Sequence, residues 1–227
     1  MFYFKGTRKP DFKNIKKVID YDQYWRVRGF KIRDKLMARE KICFDWIKPD
    51  SSVLDVGCGN SRFLYELKKN KNCQVYGLDV SGLVIDSLAQ EGIAGRVIDI
   101  TKTDFDFIKE KEFDYIILNE VLEHVINPEE IIGKLKGKGR FFILSVPNTG
   151  FYRYRIGLMF FGRFPTQWAM HPSEHVRFWT HKDFLDWISD LGLETISCKT
   201  TDGFQFFGNS WKNMFGHLIS YLVKEKK

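Results

Sequence analysis

The chain has 227 residues, 44% hydrophobic and 29% charged, which is long enough for one well-buried α/β domain with a small appended cap. Its net charge of +7 comes mainly from scattered lysines, which gives nucleic acid binding little support. The four cysteines lack the spacing of a zinc site and indicate reduced thiols in a cytoplasmic protein. The sequence shows neither a signal peptide nor the roughly 20 consecutive apolar residues of a transmembrane helix.

Helices and strands alternate through the middle of the chain. Ahead of the first strand, the pattern predicts an amphipathic helix over 30–47. Five strand-like runs rich in β-branched and aromatic residues follow, at 53–56, 74–80, 95–100, 113–118 and 140–146. Helical patterns separate them at about 61–70, 82–91 and 128–136. Short apolar strands alternating with helices predict a doubly wound α/β sheet of parallel strands buried on both faces.

The segment 147–176 breaks this alternation and predicts a small lid-like insertion in a single domain spanning 1–227, with 1–49 as an N-terminal helical cap. Aromatic residues alternate in it with Arg153, Arg155 and Arg163. This pattern indicates a lid over an anionic or amphiphilic substrate, a surface for a membrane or protein partner, or a short helix packed by its aromatic side. A helix at 181–191 and strands near 193–199 and 216–223 complete the predicted elements.

A glycine turn, in the stretch SSVLDVGCGNSRFL at 51–64, follows the first strand. Gly57 and Gly59 let backbone N–H groups approach a ligand closely at a helix N-terminus. Arg62 stands where a dinucleotide fingerprint needs glycine, which disfavours an NAD site. With Asp55 before the turn and Asp79 at the end of the second strand, where a carboxylate can accept both ribose hydroxyls, the residues predict a nucleoside site.

The stretches VLDVGCGNSRFL, VYGLDVS, RVIDI, FDYIILNEVLEHVINPEEII and RFFILSVPN resemble, in order and spacing, the motifs of class I S-adenosylmethionine-dependent methyltransferases. PNTGFYRYRIGLMFFGRFP and HVRFWTHKDFLDWISDLGLE resemble the MetW family of methionine-biosynthesis proteins, while EVLEHV and HVRFWT are also similar to small-molecule O-methyltransferases. The expected fold is a doubly wound Rossmann-like sheet, mostly parallel with an antiparallel last strand, with helices on both faces and a small lid insertion.

The resemblance implies that S-adenosylmethionine is the cofactor and S-adenosylhomocysteine its product. The turn would hold the amino-acid part of the cofactor, and Asp79 would take the ribose hydroxyls. The cofactor-binding residues implied in this way are Asp55, Gly57, Cys58, Gly59, Asp79, Val80 beside the adenine, Asp99 and Ile100 at the adenine amino group, Asn119 near the sulfonium, and Tyr24. Tyr24 would fold over the cofactor with Tyr21 and Trp25, and Arg33 is a candidate carboxylate partner. Asp99 alone is also explained as a helix cap.

Histidine is the natural base if the methyl acceptor must lose a proton. His124 follows the fourth strand, and Glu120 and Glu123 have the spacing of one helical face with it, so a carboxylate could orient its imidazole. The alternative is that His124 only ties down the loop beside the cofactor. His171 is the second catalytic candidate, as a residue facing the substrate, whereas His175, His181 and His217 are expected to be structural. The sequence predicts no metal site.

Two functions follow. The first is an S-adenosylmethionine-dependent methyltransferase that acts on a small molecule at a hydroxyl or carboxyl oxygen. The second, implied by the MetW resemblance, is a non-catalytic cofactor-binding partner of a homoserine acyltransferase, contacted through 147–176.

Ser61 replaces the last glycine of the family's G-x-G-x-G run. Because a serine can accept from a free N–H at a helix start, it is expected to be tolerated there.

Overall fold

The computed structural model describes residues 20–27, 29–110, 112–162, 174–204 and 207–226. The strands of this part are β1 (Ser52–Val56), β2 (Gln74–Asp79), β3 (Ala94–Val97), β4 (Phe113–Asn119), β5 (Gly139–Pro147), β6 (Leu193–Thr201) and β7 (Leu218–Glu225). They form one sheet in the order β3-β2-β1-β4-β5-β7-β6. Strand β7 runs antiparallel to both of its neighbours, and the strands from β3 to β5 are parallel. The predicted sheet with an antiparallel last strand is confirmed.

The helices of the described residues are α1 (Tyr21–Val27), α2 (Ala38–Trp46), α3 (Phe63–Lys71), α4 (Gly82–Gln90), α5 (Pro128–Leu135), α6 (Tyr152–Phe161), α7 (His181–Asp190) and α8 (Lys212–Phe215). A 3-10 turn covers Leu122–His124. Helices α3, α4 and α5 connect successive parallel strands along the chain, and their ends lie within about two residues of the predicted positions. In the part of the chain that the structure describes, no helix has both the length and the apolar character to cross a membrane.

The sheet is buried on both faces, as the apolar runs predict. Successive residues of β4 alternate between two core clusters, because neighbouring side chains of a strand point to opposite faces. Ile116 and Leu118 belong to one cluster and Tyr115 and Ile117 to the other. All four side chains are less than 5% exposed. Truncating such a side chain to alanine typically costs about 2–5 kcal/mol, so the central strands fix the position of the carboxyl edge where the glycine turn lies.

The helix predicted over 30–47 is shorter than expected, because α2 begins only at Ala38. The preceding residues are not helical and lie along the glycine turn. The backbone N–H of Arg33 donates to the carbonyl of Asn60 at 3.2 Å, and the Asn60 amide donates to the carbonyl of Lys31 at 3.0 Å. The prediction was wrong for 30–37 because the backbone there bonds to a distant segment and not to its own next turn.

The predicted insertion at 147–176 is described up to residue 162 and again from 174, so Arg163 and His171 lie outside the described residues. Helix α6 packs by its first turn, where the ring of Tyr152 lies 5.6 Å from that of Phe215. Its second half is exposed to solvent. There Leu158, Met159, Phe160 and Phe161 are 53%, 71%, 69% and 61% exposed. The helix therefore packs at one end and presents an apolar surface at the other.

Candidate functional site

The glycine turn follows β1 at the carboxyl edge of the sheet. Gly57 has a φ of +73° and Gly59 a φ of +55°, in the left-handed region that residues with a side chain disfavour. A Cβ built on Gly57 would lie 2.6 Å from Cγ2 of Val121, in the loop after β4. Gly57 is therefore required for two separate reasons, its backbone conformation and the space beside it.

The carboxylate of Asp79, at the end of β2, is fixed by the backbone of the turn. Its Oδ2 accepts from the N–H of Gly59 and its Oδ1 from the N–H of Ser81, each at 2.9 Å. Burial raises the pKa of Asp79, while these backbone hydrogen bonds lower it. Since each carboxylate oxygen can accept more than one hydrogen bond, Asp79 keeps acceptor capacity beside the turn.

Asp55 is a second buried acid under the turn, and only 4% of it is exposed. Burial, followed by the charges of Glu40 and Asp79, raises the pKa of Asp55 to about 8. A cationic group brought close to Asp55 would relieve this repulsion and favour the ionised form. Cys58, by contrast, is buried in the core, and its N–H donates to the carbonyl of Leu78 at 3.1 Å.

Helix α1 covers the turn from the N-terminal side. The hydroxyl of Ser81 donates to Asp22 at 2.5 Å, which attaches α1 to the start of α4. Trp25 packs on the turn, with Cζ2 3.4 Å from a Cβ built on Gly59. The ring of Tyr24 lies edge-on to Trp25, with the ring centroids 5.2 Å apart. Tyr21, Tyr24 and Trp25 of this segment were predicted from the sequence to fold over the cofactor, whereas the contact of Asp22 was not predicted.

Glu40 anchors the other side of the turn and was missed by the sequence analysis. Its carboxylate is 3% exposed, forms an ion pair with Arg33 and accepts from the hydroxyl of Ser61 at 2.7 Å. Ser61 Oγ in turn accepts from the N–H of Phe63 at 2.9 Å, which confirms the expected role of a serine at the start of α3. Oε2 of Glu40 also accepts from the N–H of Met37 at 2.7 Å, but a capping box is recognised by Ser or Thr at the first position, so the sequence held no such signal for Glu40.

The end of β4 is tied to α2. The side-chain amide of Asn119 lies 3.5 Å from Sγ of Cys43. Glu120 follows with a φ of +54°, and its carboxylate forms a 2.8 Å ion pair with Arg39. Of the two carboxylates that the sequence allowed as a support for the imidazole of His124, Glu120 is therefore excluded, because it is paired with Arg39 of α2.

The residues expected at the adenine, Val80, Asp99 and Ile100, lie just beyond the carboxyl ends of β2 and β3. Strand β3 ends at Val97, so Asp99 lies beyond the strand and does not close it. Its carboxylate accepts from the N–H of Thr101 at 3.0 Å and pairs with Lys102 at 2.8 Å, which is the local cap that the sequence also allowed. Val80 is 44% exposed. Ile100 lines a cavity of about 340 Å³ beside the loop after β4.

Two cavities lie at opposite ends of the strands, one at the carboxyl ends and one at the amino ends. One of about 340 Å³ lies beside the loop after β4 and is lined by Ile100, Thr101, His124, Val125, Ile126, Asn127, Glu130, Ile131 and Lys134. The other, of about 240 Å³, lies at the amino ends of β1, β2 and β4. Ligands of open α/β sheets bind outside the carboxyl ends of the strands. The candidate site is therefore the glycine-turn edge, with the larger cavity beside it.

His124 lies on the 3-10 turn after β4. Its Nδ1 bonds to the backbone carbonyl of Glu174, and because a carbonyl only accepts, Nδ1 carries the hydrogen and Nε2 keeps its lone pair. Burial lowers the pKa of His124, so its neutral form is favoured. The ring of His175 lies edge-on to it at 4.7 Å. A carbonyl therefore orients His124, and the predicted carboxylate does not.

Comparisons with known proteins find related sequences. The family model of the methionine biosynthesis protein MetW matches residues 38–223. The bifunctional methionine biosynthesis protein MetXA/MetW of Rhodopirellula baltica is 30% identical over 171 residues, which are 70% of this chain and 27% of that protein. N-methyltransferase 4 of Papaver somniferum is 32% identical over 97 residues, 39% of this chain and 27% of that enzyme. These matches span just over a quarter of the length of either relative.

Solved structures show the same fold. A SAM-dependent methyltransferase from Archaeoglobus fulgidus superposes with a TM-score of 0.65 at 15% identity, over 89% of this chain and 100% of that one. The 1,6-didemethyltoxoflavin-N1-methyltransferase of Burkholderia thailandensis, solved with bound 1,6-didemethyltoxoflavin and S-adenosylhomocysteine, superposes with a TM-score of 0.62 at 14% identity, over 91% of this chain and 84% of that one. At such identities the likeness establishes the fold alone.

Proposed function

The chain belongs to the MetW family of methionine-biosynthesis proteins, and from this premise we propose that it binds S-adenosylmethionine at the glycine turn and transfers its methyl group to an oxygen of a small molecule. The observation that carries the proposal is the Asp79 carboxylate, which Gly59 and Ser81 hold at the end of β2. A fixed, buried acceptor at this position is what two ribose hydroxyls require.

The rest of the crevice supports the same cofactor. Asp55 is a buried carboxylate whose repulsion by Glu40 and Asp79 a cationic ligand would relieve, and the cofactor carries both an ammonium and a sulfonium. Gly57 and Gly59 leave the backbone of the turn uncovered by side chains of its own. Trp25 of α1 lies over the turn with the ring of Tyr24 packed against it, and the pair would exclude water from the bound cofactor. The bound complex of the Burkholderia thailandensis enzyme makes the product S-adenosylhomocysteine the natural second probe.

The chemistry asks little of the protein beyond alignment. The acceptor oxygen attacks the methyl carbon in line with the sulfonium, the carbon–sulfur bond breaks, and sulfur keeps the electron pair to give S-adenosylhomocysteine. A hydroxyl acceptor also loses its proton, and we assign His124 Nε2 to take it. That nitrogen is free for the task because Nδ1 is bound to the Glu174 carbonyl, and His124 also lines the 340 Å³ cavity. A carboxylate acceptor needs no base.

A second function, partnership with a homoserine acyltransferase, has an observation of its own. The Rhodopirellula baltica relative joins MetXA and MetW in a single bifunctional protein. Helix α6 presents four apolar side chains to solvent, an arrangement typical of a surface that another protein covers. On this reading the chain binds cofactor or product and signals to its partner through 147–176.

Calorimetric titration with S-adenosylmethionine and with S-adenosylhomocysteine tests the cofactor site. If neither compound binds, both functions fail. Incubation of the chain with methyl-labelled cofactor and a metabolite extract then separates the two: label in an extracted small molecule supports methyl transfer. Cofactor binding without transfer, together with capture of a purified homoserine acyltransferase, supports the partner role.

A further inference from the structure

A cluster of three potential metal ligands lies beside the glycine-turn crevice. Glu123, His124 and His175 each offer one donor atom, and these atoms all lie within 4.8 Å of one another. His124 and Glu123 belong to the 3-10 turn after β4, while His175 lies on the segment just before α7. A tetrahedral ion at about 2.1 Å from its ligands would draw the three side chains together by small rotations.

The carboxylate of Glu123 carries the strongest indication of a missing ligand. The residue is 1% exposed, and neither of its oxygens has a hydrogen-bond partner among the described residues. The Nδ1 of His175 is also buried without a partner in the same part of the chain. An unpaired buried carboxylate is costly, and buried charges are normally paired or coordinate metals. Protonation would remove the charge, but the neutral carboxyl would still lack a hydrogen-bond partner among the described residues.

The backbone holds these ligands in place before any ion arrives. The carbonyl of Glu123 accepts from the N–H groups of Val176 and Arg177 at 2.8 and 3.1 Å. The carbonyl of Glu174 accepts from Nδ1 of His124. Such a bond on the far ring nitrogen is what orients a metal-binding histidine and leaves Nε2 for the ion. The two segments are thus joined on both sides of the cluster.

We infer that Glu123, His124 and His175 bind one divalent transition-metal ion. Two imidazoles and one carboxylate suit Zn²⁺ and its first-row neighbours better than Mg²⁺ or Ca²⁺, which prefer oxygen ligands alone. Three protein ligands leave a coordination position for water or a substrate oxygen. The inference stands whether or not the chain transfers methyl groups, although a bound ion would occupy the Nε2 lone pair that otherwise makes His124 a base.

The test uses the full chain, purified without a histidine tag, stripped with a chelator and titrated with Co²⁺ and Zn²⁺ in the absence of cofactor. Visible absorption bands of protein-bound Co²⁺ that saturate at one ion per chain, and that Zn²⁺ displaces, are expected. A featureless Co²⁺ spectrum with no heat of Zn²⁺ binding would overturn the inference without any variant.

Two variants locate the site. Glu123→Gln and His175→Gln should each weaken Zn²⁺ binding at least about tenfold, since even the supporting residues of metal sites cost 10–100-fold. Glu91→Gln, which removes an exposed carboxylate at the end of α4, is the matched control and should bind as the parent does. Circular dichroism establishes that each variant is folded. Equal Zn²⁺ affinity of folded Glu123→Gln and Glu91→Gln would place the ion elsewhere and refute the assignment.

Discussion

Oδ2 of Asp79 and the backbone N–H of Gly59, twenty residues apart in the chain, form a 2.9 Å hydrogen bond that joins the end of β2 to the glycine turn after β1. The bond makes Asp79 a structural part of the turn, and the same carboxylate is the acceptor that we propose for the ribose of the cofactor. A substitution at Asp79 therefore tests the proposed cofactor site directly.

Asp79→Asn should weaken binding of S-adenosylhomocysteine by roughly 10- to 100-fold, because hydrogen bonds to a charged group contribute about 1.5–3 kcal/mol. Isothermal calorimetry measures the affinity. Asp99→Asn is the comparison, since the carboxylate of Asp99 is paired with Thr101 and Lys102, and its effect should stay under about threefold. Equal losses in the two variants would contradict the ribose assignment.

Gly57→Ala should destabilise the fold by at least about 2 kcal/mol, through a left-handed backbone and a contact with Val121 that is too short. Urea denaturation measures the free energy of unfolding. Adding Val121→Ala should restore part of the loss, because it removes the obstructing methyl groups. Gly133→Ala, in α5 with nothing within 4 Å, should instead stabilise by roughly 0.5–1 kcal/mol. Destabilisation by both alanines would show that the turn is not special.

Ser61→Ala should lower the free energy of unfolding by about 1–2 kcal/mol, because it removes the acceptor for Phe63 N–H and the donor to the buried carboxylate of Glu40. Thermal and urea denaturation provide the measurement. Ser210→Ala, at an exposed position, is expected to change stability by less than about 0.5 kcal/mol. If the stability of Ser61→Ala is unchanged, the two hydrogen bonds of Ser61 do not stabilise the turn, which contradicts the prediction.

The ionisation of Asp55 should make stability depend on pH. Its pKa rises from 3.8 to about 8 on folding. In the window between these values the folded chain holds a proton that the unfolded chain has released, so the free energy of unfolding falls as pH rises, by up to about 1.4 kcal/mol per pH unit. The advantage of Asp55→Asn over the parent should therefore be larger at pH 8 than at pH 5.

Other groups change the free energy of unfolding with pH in the opposite direction. Because the parent and Asp55→Asn share these groups, the difference between the two proteins reports on Asp55 alone. The pKa of His175, for example, falls on folding to about 3, mainly through burial, so its contribution to stability rises with pH as the unfolded histidine loses its proton. Asp45→Asn, at an exposed position of α2, serves as the charge-matched control. A difference between Asp55→Asn and the parent that does not change with pH would contradict the raised pKa.

Phe160→Ser with Phe161→Ser should leave stability within about 0.5 kcal/mol of the parent, because both rings are more than 60% exposed. The double variant should nevertheless lose capture of a homoserine acyltransferase if α6 is the partner surface. Trp211→Ser, an aromatic residue that is 57% exposed outside α6, provides the control for a general loss of surface hydrophobicity. Capture that survives in the double variant would remove α6 from the partner hypothesis.

The succession of strands and helices along the chain, the glycine turn and the position of Asp79 at the end of β2 could be predicted from the sequence because each depends on a local pattern. The partners of the site could not. Cys43 contacts Asn119 across 76 residues, and Arg39 of α2 pairs with Glu120 in the loop after β4, so neither contact has a signal in the neighbouring sequence. The non-helical course of 30–37 depends in the same way on hydrogen bonds to Asn60.

The cluster of Glu123, His124 and His175 could not be predicted from the sequence either. Glu123 and His124 are adjacent in the sequence, but their third member is His175, which packing alone brings to them. Spacing in the chain gave no reason to expect a ligand set there. Burial of the Glu123 carboxylate without a partner is a property that only the folded structure reveals.

Strand β7 lies between β5 and β6 in the sheet, although it follows both of them in the chain. During synthesis, β5 and β6 therefore emerge from the ribosome with hydrogen-bonding edges that cannot be joined until residues 218–225 have been made. Unpaired strand edges are templates for association with other chains, and long-range pairing is slow to form. The nascent chain thus passes through a stage in which β5 and β6 both expose unpaired edges, and association with other chains is most favoured at that stage.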